Sequence, residues 1–247
     1  MKVYKFGGSS VKDARGVRHI ASLIEAEKDD LLVVISAIGK TTNALEFVAE
    51  MHHDIMDDLA LKDYDRIYDA FVAQGELNST RIVSEYLTSI GVANTWLDAR
   101  QILITDATHR AANVDMAQTE QCLRAAVAAS RARVRIIQGF IGATSDGEVT
   151  TLGREGSDYS AAVFGAALQA SSVTLWKDVP GVLTADPRKD AQAKLIPYMT
   201  YDEAARLTDT GAQIIHPKTI KPLADKHIPL YVRSVYQPDE HGTVIGD

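Results

Sequence analysis

The chain has 247 residues and carries 26 Lys and Arg against 33 Asp and Glu, a formal net charge of −7. With 46% hydrophobic and 24% charged residues and only 7 prolines, it has the composition of an ordinary globular protein, which excludes a disordered or fibrous one. No basic block is clustered enough to neutralise a run of phosphates, so a nucleic-acid partner is excluded as well.

The first strand is expected at KVYKF (2–6), followed by GGSSVKD and a helix over 14–27. Glycines after a strand let backbone N–H groups approach an anion, and the helix that follows presents its positive end. The stretch is not a P-loop, because Lys5 precedes Gly7, Gly8 and Ser9 instead of following the glycines. Alone, it reads equally as a phosphate grip or as a plain turn. LLVVIS (31–36) is the second strand and leads into SAIGKTTNAL, where Thr41, Thr42 or Asn43 is either a helix cap or a hydroxyl for a ligand oxygen.

Helical patterns over 44–60 and 64–90 follow each other without a convincing strand, so 43–98 reads as a helical insertion on the substrate side. His52 and His53 lie in it without other ligand types at metal spacing, which favours exposure over coordination. Further strands are expected at QILIT (101–105), VRIIQ (134–138), VTLWK (173–177) and PLYVR (229–233), with helices over 117–130, 158–169, 201–209 and 217–227. The single cysteine, Cys122, falls at helical spacing and reads as a small packing residue, as do Trp96 and Trp176. Several strands are apolar throughout and alternate with helices, which predicts an α/β fold: one domain, 1–247, with an open, mainly parallel sheet between helical layers.

Ligands in such sheets sit beyond the carboxyl ends of strands. Two more segments qualify. TLGREGSDYSAA (151–162) sets Arg154, Ser157 and Asp158 in one turn before an Ala-rich helix, and a guanidinium is a planar fork for carboxylate or phosphate. WKDVPGVLTADPR (176–188) has turn chemistry in Pro180, Gly181 and Pro187, which leaves Asp178 and Arg188 without a turn explanation. No signal-like N-terminus and no apolar run near the ~18 residues of a membrane span is present, so a cytoplasmic protein without a membrane partner is the default expectation.

Taken in order, KFGGSSV, SAIGKTTNAL, GELNSTRIVSEYL, QGFIG, TLGREGSDYSAA, KDVPGVLTADPR, GAQIIHPKT and IPLYVRS resemble the aspartate kinase catalytic domain of the amino acid kinase family. The resemblance spans almost the whole chain. It implies an amino acid kinase (carbamate kinase-like) fold and transfer of the γ-phosphoryl group of MgATP to the side-chain carboxylate of L-aspartate. The product, 4-phospho-L-aspartate, feeds routes toward lysine, threonine and methionine. ATP and Mg²⁺ are the implied cofactors, and a homo-oligomer is compatible with the family.

By resemblance, Lys5 stands between the reacting carboxylate and the transferred phosphoryl group, with Asp158 as its catalytic companion at the substrate and nucleotide junction. Glu76 contacts the substrate α-ammonium and Arg154 its α-carboxylate, while Thr42, Phe140 and Ser157 complete that pocket. Gly7, Gly8, Ser9, Ser36, Lys177, Asp178, Leu183, Arg188 and Gln213 fall on the nucleotide side. Three positions depart from the family pattern: Lys177 replaces a common threonine, Leu183 a frequent tyrosine, and Gln213 a lysine that reaches the ATP phosphates. Either Lys218 or Lys177 compensates for the charge missing at Gln213, or the nucleotide is held less tightly.

The chain stops at GTVIGD, about where the family's kinase domain ends, so C-terminal ACT regulatory domains and feedback inhibition by lysine or threonine are not expected. Two rivals remain at this level: a kinase for another small acid such as N-acetylglutamate, and a nucleotide-binding regulatory module that has lost catalysis. Glu76 argues against an N-acylated substrate, which would offer it a neutral amide.

Overall fold

The computed structural model describes residues 1–185, 190, 192–209 and 215–247, without the side chains of 208 and 209. In chain order the elements are β1 (Lys2–Phe6), α1 (Ala14–Ala26), β2 (Leu31–Ile35), α2 (Thr41–Asp58), α3 (Tyr64–Ser89), β3 (Asn94–Trp96) and β4 (Ile104–Thr105). After these come α4 (Met116–Ala129), β5 (Val134–Gln138), β6 (Ile141–Thr144), β7 (Val149–Thr151), α5 (Gly156–Leu168) and β8 (Ser172–Lys177). The chain closes with β9 (Tyr198–Met199), α6 (Tyr201–Asp209), α7 (Pro217–Ala224), β10 (Leu230–Ser234) and β11 (Thr243–Ile245).

The sheet order β3-β5-β2-β1-β8-β10-β11-β9 puts β1 in the middle, and every pairing is parallel except β10 with β11. β2 and β5 are buried at every residue, as their unbroken apolar runs require when helices cover both faces. Alternation along β1 divides the core. Val3 faces Ala161, Ala162 and Phe164 of α5, whereas Tyr4 and Phe6 face Val17, Ile20 and Ile24 of α1. A smaller sheet, β4-β6-β7, lies beside the main one.

The predicted mainly parallel sheet between helices is present, and the differences are local. The stretch 43–98 is not wholly helical, because β3 forms the sheet edge against β5, and α3 packs on α1, β2, β3 and β5 as part of the covering layer. The expected strand 101–105 is half lost: Asp98 accepts the Arg100 N–H at 3.0 Å and folds Ala99–Gln101 into a 3-10 turn, leaving two strand residues. β6, β7, β9 and β11 are too short, at 2 to 4 residues, for a pattern of period two to show. No described helix is long and apolar enough to cross a membrane.

Candidate active site

Lys5 pairs in register with Leu175, so Lys177 lies one alternation further along the neighbouring strand and shares its face. Both side chains therefore point toward α5, where Val3, Val173 and Leu175 also pack. Glu155, in the left-handed region at φ 54°, starts α5 and puts Asp158 in its first turn. There Asp158 Oδ1 lies 2.6 Å from Lys5 Nζ and Oδ2 accepts from Lys177 Nζ at 2.7 Å. Burial to 3% exposure works against a charged carboxylate, but the two ammonium groups outweigh it and hold Asp158 down at about 2. An ionised carboxylate thus locks two cations side by side at the end of the sheet.

The loop after β1 closes over them. A Cβ on Gly8 would meet the Ala37 carbonyl oxygen at 2.6 Å and that of Gly39 at 3.0 Å, so only glycine lets this turn lie on the loop after β2. A Cβ on Gly7 would lie 3.6 Å from Lys5 Nζ, which places its backbone beside the ammonium.

Glu76 projects from α3 and is 2% exposed. Its Oε1 accepts the Ala37 N–H at 3.2 Å, while Oε2 has no partner. Desolvation pushes this carboxyl up to about 7, with the Ala37 N–H and the charge of Lys5 opposing the rise and Glu46 adding to it. A buried carboxyl oxygen without a donor is costly and marks a place for one.

Lys5, Gly8, Ser36, Thr42, Glu76, Phe140, Arg154, Ser157, Asp158 and Lys177 line a single cleft of about 620 Å³. Arg154 is exposed, and its guanidinium has no partner among the described residues. Phe140 sits in the left-handed region at φ 70° and donates its N–H to Ser160 Oγ at 2.9 Å, which packs its ring against Gly156. Thr42 is not a helix cap: α2 starts without a side-chain cap, and Thr41 turns its hydroxyl back to the Ile38 carbonyl.

The residues expected on a nucleotide side are less closely gathered. Ser9 and Asp178 are exposed outside the cleft, and Leu183 is buried, bridged through its backbone to Leu195. Arg188 and Gln213 lie outside the described residues. Lys218 is exposed on α7 and does not line the cleft, whereas Lys177 does. Of the residues read as packing, Trp176 stacks with Phe6, Trp96 donates to Thr80, and Cys122 is half-buried. His52 and His53, expected exposed, are half-buried against Phe71 and Tyr64.

Sequence reasoning missed Glu46, Tyr68 and Arg110, which form the insertion-side wall of the cleft. Tyr68 donates to Glu46 Oε1 at 2.6 Å, and the Arg110 guanidinium lies 4.2 Å over the Tyr68 ring. It also missed Asp69, fully buried, which accepts from Thr151 Oγ1 (2.6 Å), the Thr151 N–H (3.1 Å) and the Arg110 N–H (3.0 Å), and pairs with His109 (3.0 Å). Glu46, Tyr68 and Asp69 leave no signal in the sequence beyond their spacing along α2 and α3, and Arg110, in the loop after β4, leaves none.

The site geometry can be set beside known proteins. The chain is 34% identical to the bifunctional aspartokinase/homoserine dehydrogenase 2 of Arabidopsis thaliana over 98% of its length, covering 32% of that protein. It is 33% identical to the lysine-sensitive aspartokinase 3 of Escherichia coli, over 98% of this chain and 63% of that one. The chain therefore spans between about one third and two thirds of the length of such relatives. A crystal structure of E. coli aspartokinase III in complex with aspartate and ADP superposes with a TM-score of 0.90 at 31% identity, covering all of this chain and 64% of that one. Residues 1–234 match the sequence model of the amino acid kinase family, and with the sheet order and the site at its carboxyl edge they establish that the chain belongs to that family.

Proposed function

We propose that the chain transfers the γ-phosphoryl group of MgATP to the side-chain carboxylate of L-aspartate, giving 4-phospho-L-aspartate and ADP. The observation that carries this reading is the unpartnered buried oxygen of Glu76 in the same cleft as the Arg154 guanidinium, unpaired among the described residues, and the Lys5–Asp158–Lys177 array. These groups supply an anion for an α-ammonium, a fork for an α-carboxylate, and a pair of cations for the reacting groups. The aspartokinases among its relatives, one of them solved with aspartate and ADP, support the same assignment.

In the reaction an oxygen of the substrate β-carboxylate forms a bond to the γ-phosphorus while the bond from that phosphorus to the β,γ-bridging oxygen breaks. No proton is transferred, so catalysis consists of positioning and charge neutralisation. Lys5 lies between the two anions and offsets charge developing on the transferred group. Lys177 adds a second ammonium, the positive charge that Gln213 does not supply, and Asp158 holds both cations in place. Gly7 and Gly8 contact phosphate oxygens through their backbone, with Ser9 and Ser36 beside them, and Asp178, Leu183, Arg188 and Gln213 belong to the nucleotide side.

Among the described residues there is no cluster of three or more His, Cys, Asp or Glu able to cage a metal, and both oxygens of Asp158 are taken by lysines. This suits a Mg²⁺ that arrives on the ATP phosphates with most of its water, as that ion commonly does.

An ATP-dependent hydroxamate assay with aspartate, N-acetylglutamate and glutamate side by side tests the reading. Aspartate is expected to give acyl phosphate and Lys5→Ala to abolish it. No acyl phosphate from aspartate would refute the proposal, and undiminished activity in Lys5→Ala would refute the role given to Lys5.

A further inference from the structure

Two carboxylates of the cleft, Glu46 and Glu155, have no role in the scheme above, and Glu46 is the one fixed by a side-chain hydrogen bond. Glu46 sits four residues after Thr42 on α2, so the two side chains share a helix face, and both line the cleft. Tyr68, on the antiparallel neighbour α3, donates its hydroxyl to Glu46 Oε1 at 2.6 Å. Burial and this hydrogen bond push the Tyr68 phenol up, which keeps it a donor. The Arg110 guanidinium covers the tyrosine ring and is itself paired with Asp65 at 3.3 Å, so the phenol is held from both sides and Arg110 makes no ion pair with Glu46. Glu46 thus has a fixed direction and one oxygen without a protein partner among the described residues.

Eight residues beyond Tyr68 on the same helix, Glu76 presents its own unpartnered oxygen to the same cleft, 2% exposed. Two carboxylates in one partly dry cleft repel, and Glu46 acts on Glu76 in that sense, more weakly than Lys5 acts in the opposite one. Only a cation resolves this arrangement without loss of either charge. Lys5 and Lys177 already pair with Asp158, and Arg154 is left for a ligand carboxylate, so a ligand ammonium is the cation that suits both carboxylates.

We infer that Glu46, clamped by Tyr68, is a second carboxylate for the substrate α-ammonium and a determinant of specificity for a free amino group. The inference rests on the proposed aspartate kinase activity and adds a residue to its substrate site. With Glu76 alone, an ammonium would have one charged acceptor; Glu46 in the same cleft offers a second. A substrate without the ammonium leaves both carboxylates unpaired, which is the strongest form of rejection a polar pocket can offer.

The test compares Glu46→Gln with the wild-type chain on aspartate and on succinate, which keeps both carboxylates and lacks the ammonium. Loss of one charge-assisted hydrogen bond predicts an aspartate KM raised about tenfold, with the KM for MgATP unchanged and the preference for aspartate over succinate reduced by a similar factor. Unchanged aspartate KM and unchanged preference overturn the inference. Should Glu46→Gln fail to fold by circular dichroism, Tyr68→Phe carries the test, because it frees the carboxylate from its clamp and keeps its charge. A severalfold rise in aspartate KM alone is then expected, and no rise overturns the inference. If the wild-type chain phosphorylates no aspartate, the parent reading has failed, and calorimetric titration with aspartate decides this one. Weaker binding by Glu46→Gln supports it; equal binding, or none by the wild-type chain, overturns it.

Discussion

Lys177 Nζ and Asp158 Oδ2 are 2.7 Å apart, a contact made possible because Lys177 shares a sheet face with Lys5 on the adjacent strand. Lys177→Met leaves Asp158 with a single cation and removes one charge from the proposed phosphoryl site. The expected result is a fall in kcat of about 10²-fold, in the range of a lost electrostatic stabiliser. Lys5→Met should cost more, and Lys218→Ala, which changes an exposed side chain outside the cleft, should stay within about twofold. Steady-state kinetics on the three variants checks this ordering.

The pH dependence of substrate binding should report Glu76. Its carboxyl, raised to about 7 by burial, is largely protonated in the empty site at mildly acid pH, whereas an ammonium ligand requires it ionised. Aspartate KM is therefore expected to fall as pH rises from about 6 to 8. The linkage for stability has the opposite sense. A folded-state value above the unfolded one gives a contribution present below the usual carboxylate range and lost as pH rises through about 7. Glu76→Gln should flatten both profiles, measured by KM against pH and by urea unfolding of the empty protein.

Removing the Asp69 carboxylate should unfold more than it inactivates. Asp69→Ala strands the N–H groups of Arg110 and Thr151 and the Thr151 hydroxyl in the interior, at a cost of about 3–5 kcal/mol. Chemical denaturation should show a lowered midpoint with little change in slope.

Gly139→Ala tests how closely the loop after β5 meets α5. The new methyl carbon would lie 2.7 Å from Ser157 Cβ and 2.8 Å from its Cα, and backbone cannot yield as a flexible side chain can. The first turn of α5 must shift, and Asp158 with it. Retained far-ultraviolet dichroism with kcat lowered at least about tenfold is the expected outcome, since sub-ångström displacement of positioned groups is costly.

Much of this was readable from residues. LLVVI and VRIIQ could be placed as interior parallel strands because burial on both faces removes any need for alternation. Lys5, Glu76, Arg154 and Asp158 stood out through the motifs they occupy, and they line one cleft. What stayed hidden depends on pairing between elements distant in sequence. Tyr68 meets Glu46 across 22 residues and Asp69 meets Thr151 across 82, and neither helix carries a local mark of its partner. NTW and TVI are strands only because a neighbouring edge offers them hydrogen bonds, which three residues cannot announce by themselves.

The bonds of Asp69 bear on how the cleft measures its ligand. Asp69 fastens α3 to Thr151, which lies just ahead of Gly153 and Arg154, and Glu76 is about two turns further along that same helix. The backbones that carry the two groups proposed to grip the ends of an amino acid are therefore tied into one frame, and the spacing of their attachment points is set before any substrate arrives. Such a frame works as a fixed gauge. Under the proposed activity it should favour one spacing of ammonium, α-carboxylate and reactive carboxylate, and a substrate longer by one methylene is expected to bring its terminal oxygen out of line with the phosphorus.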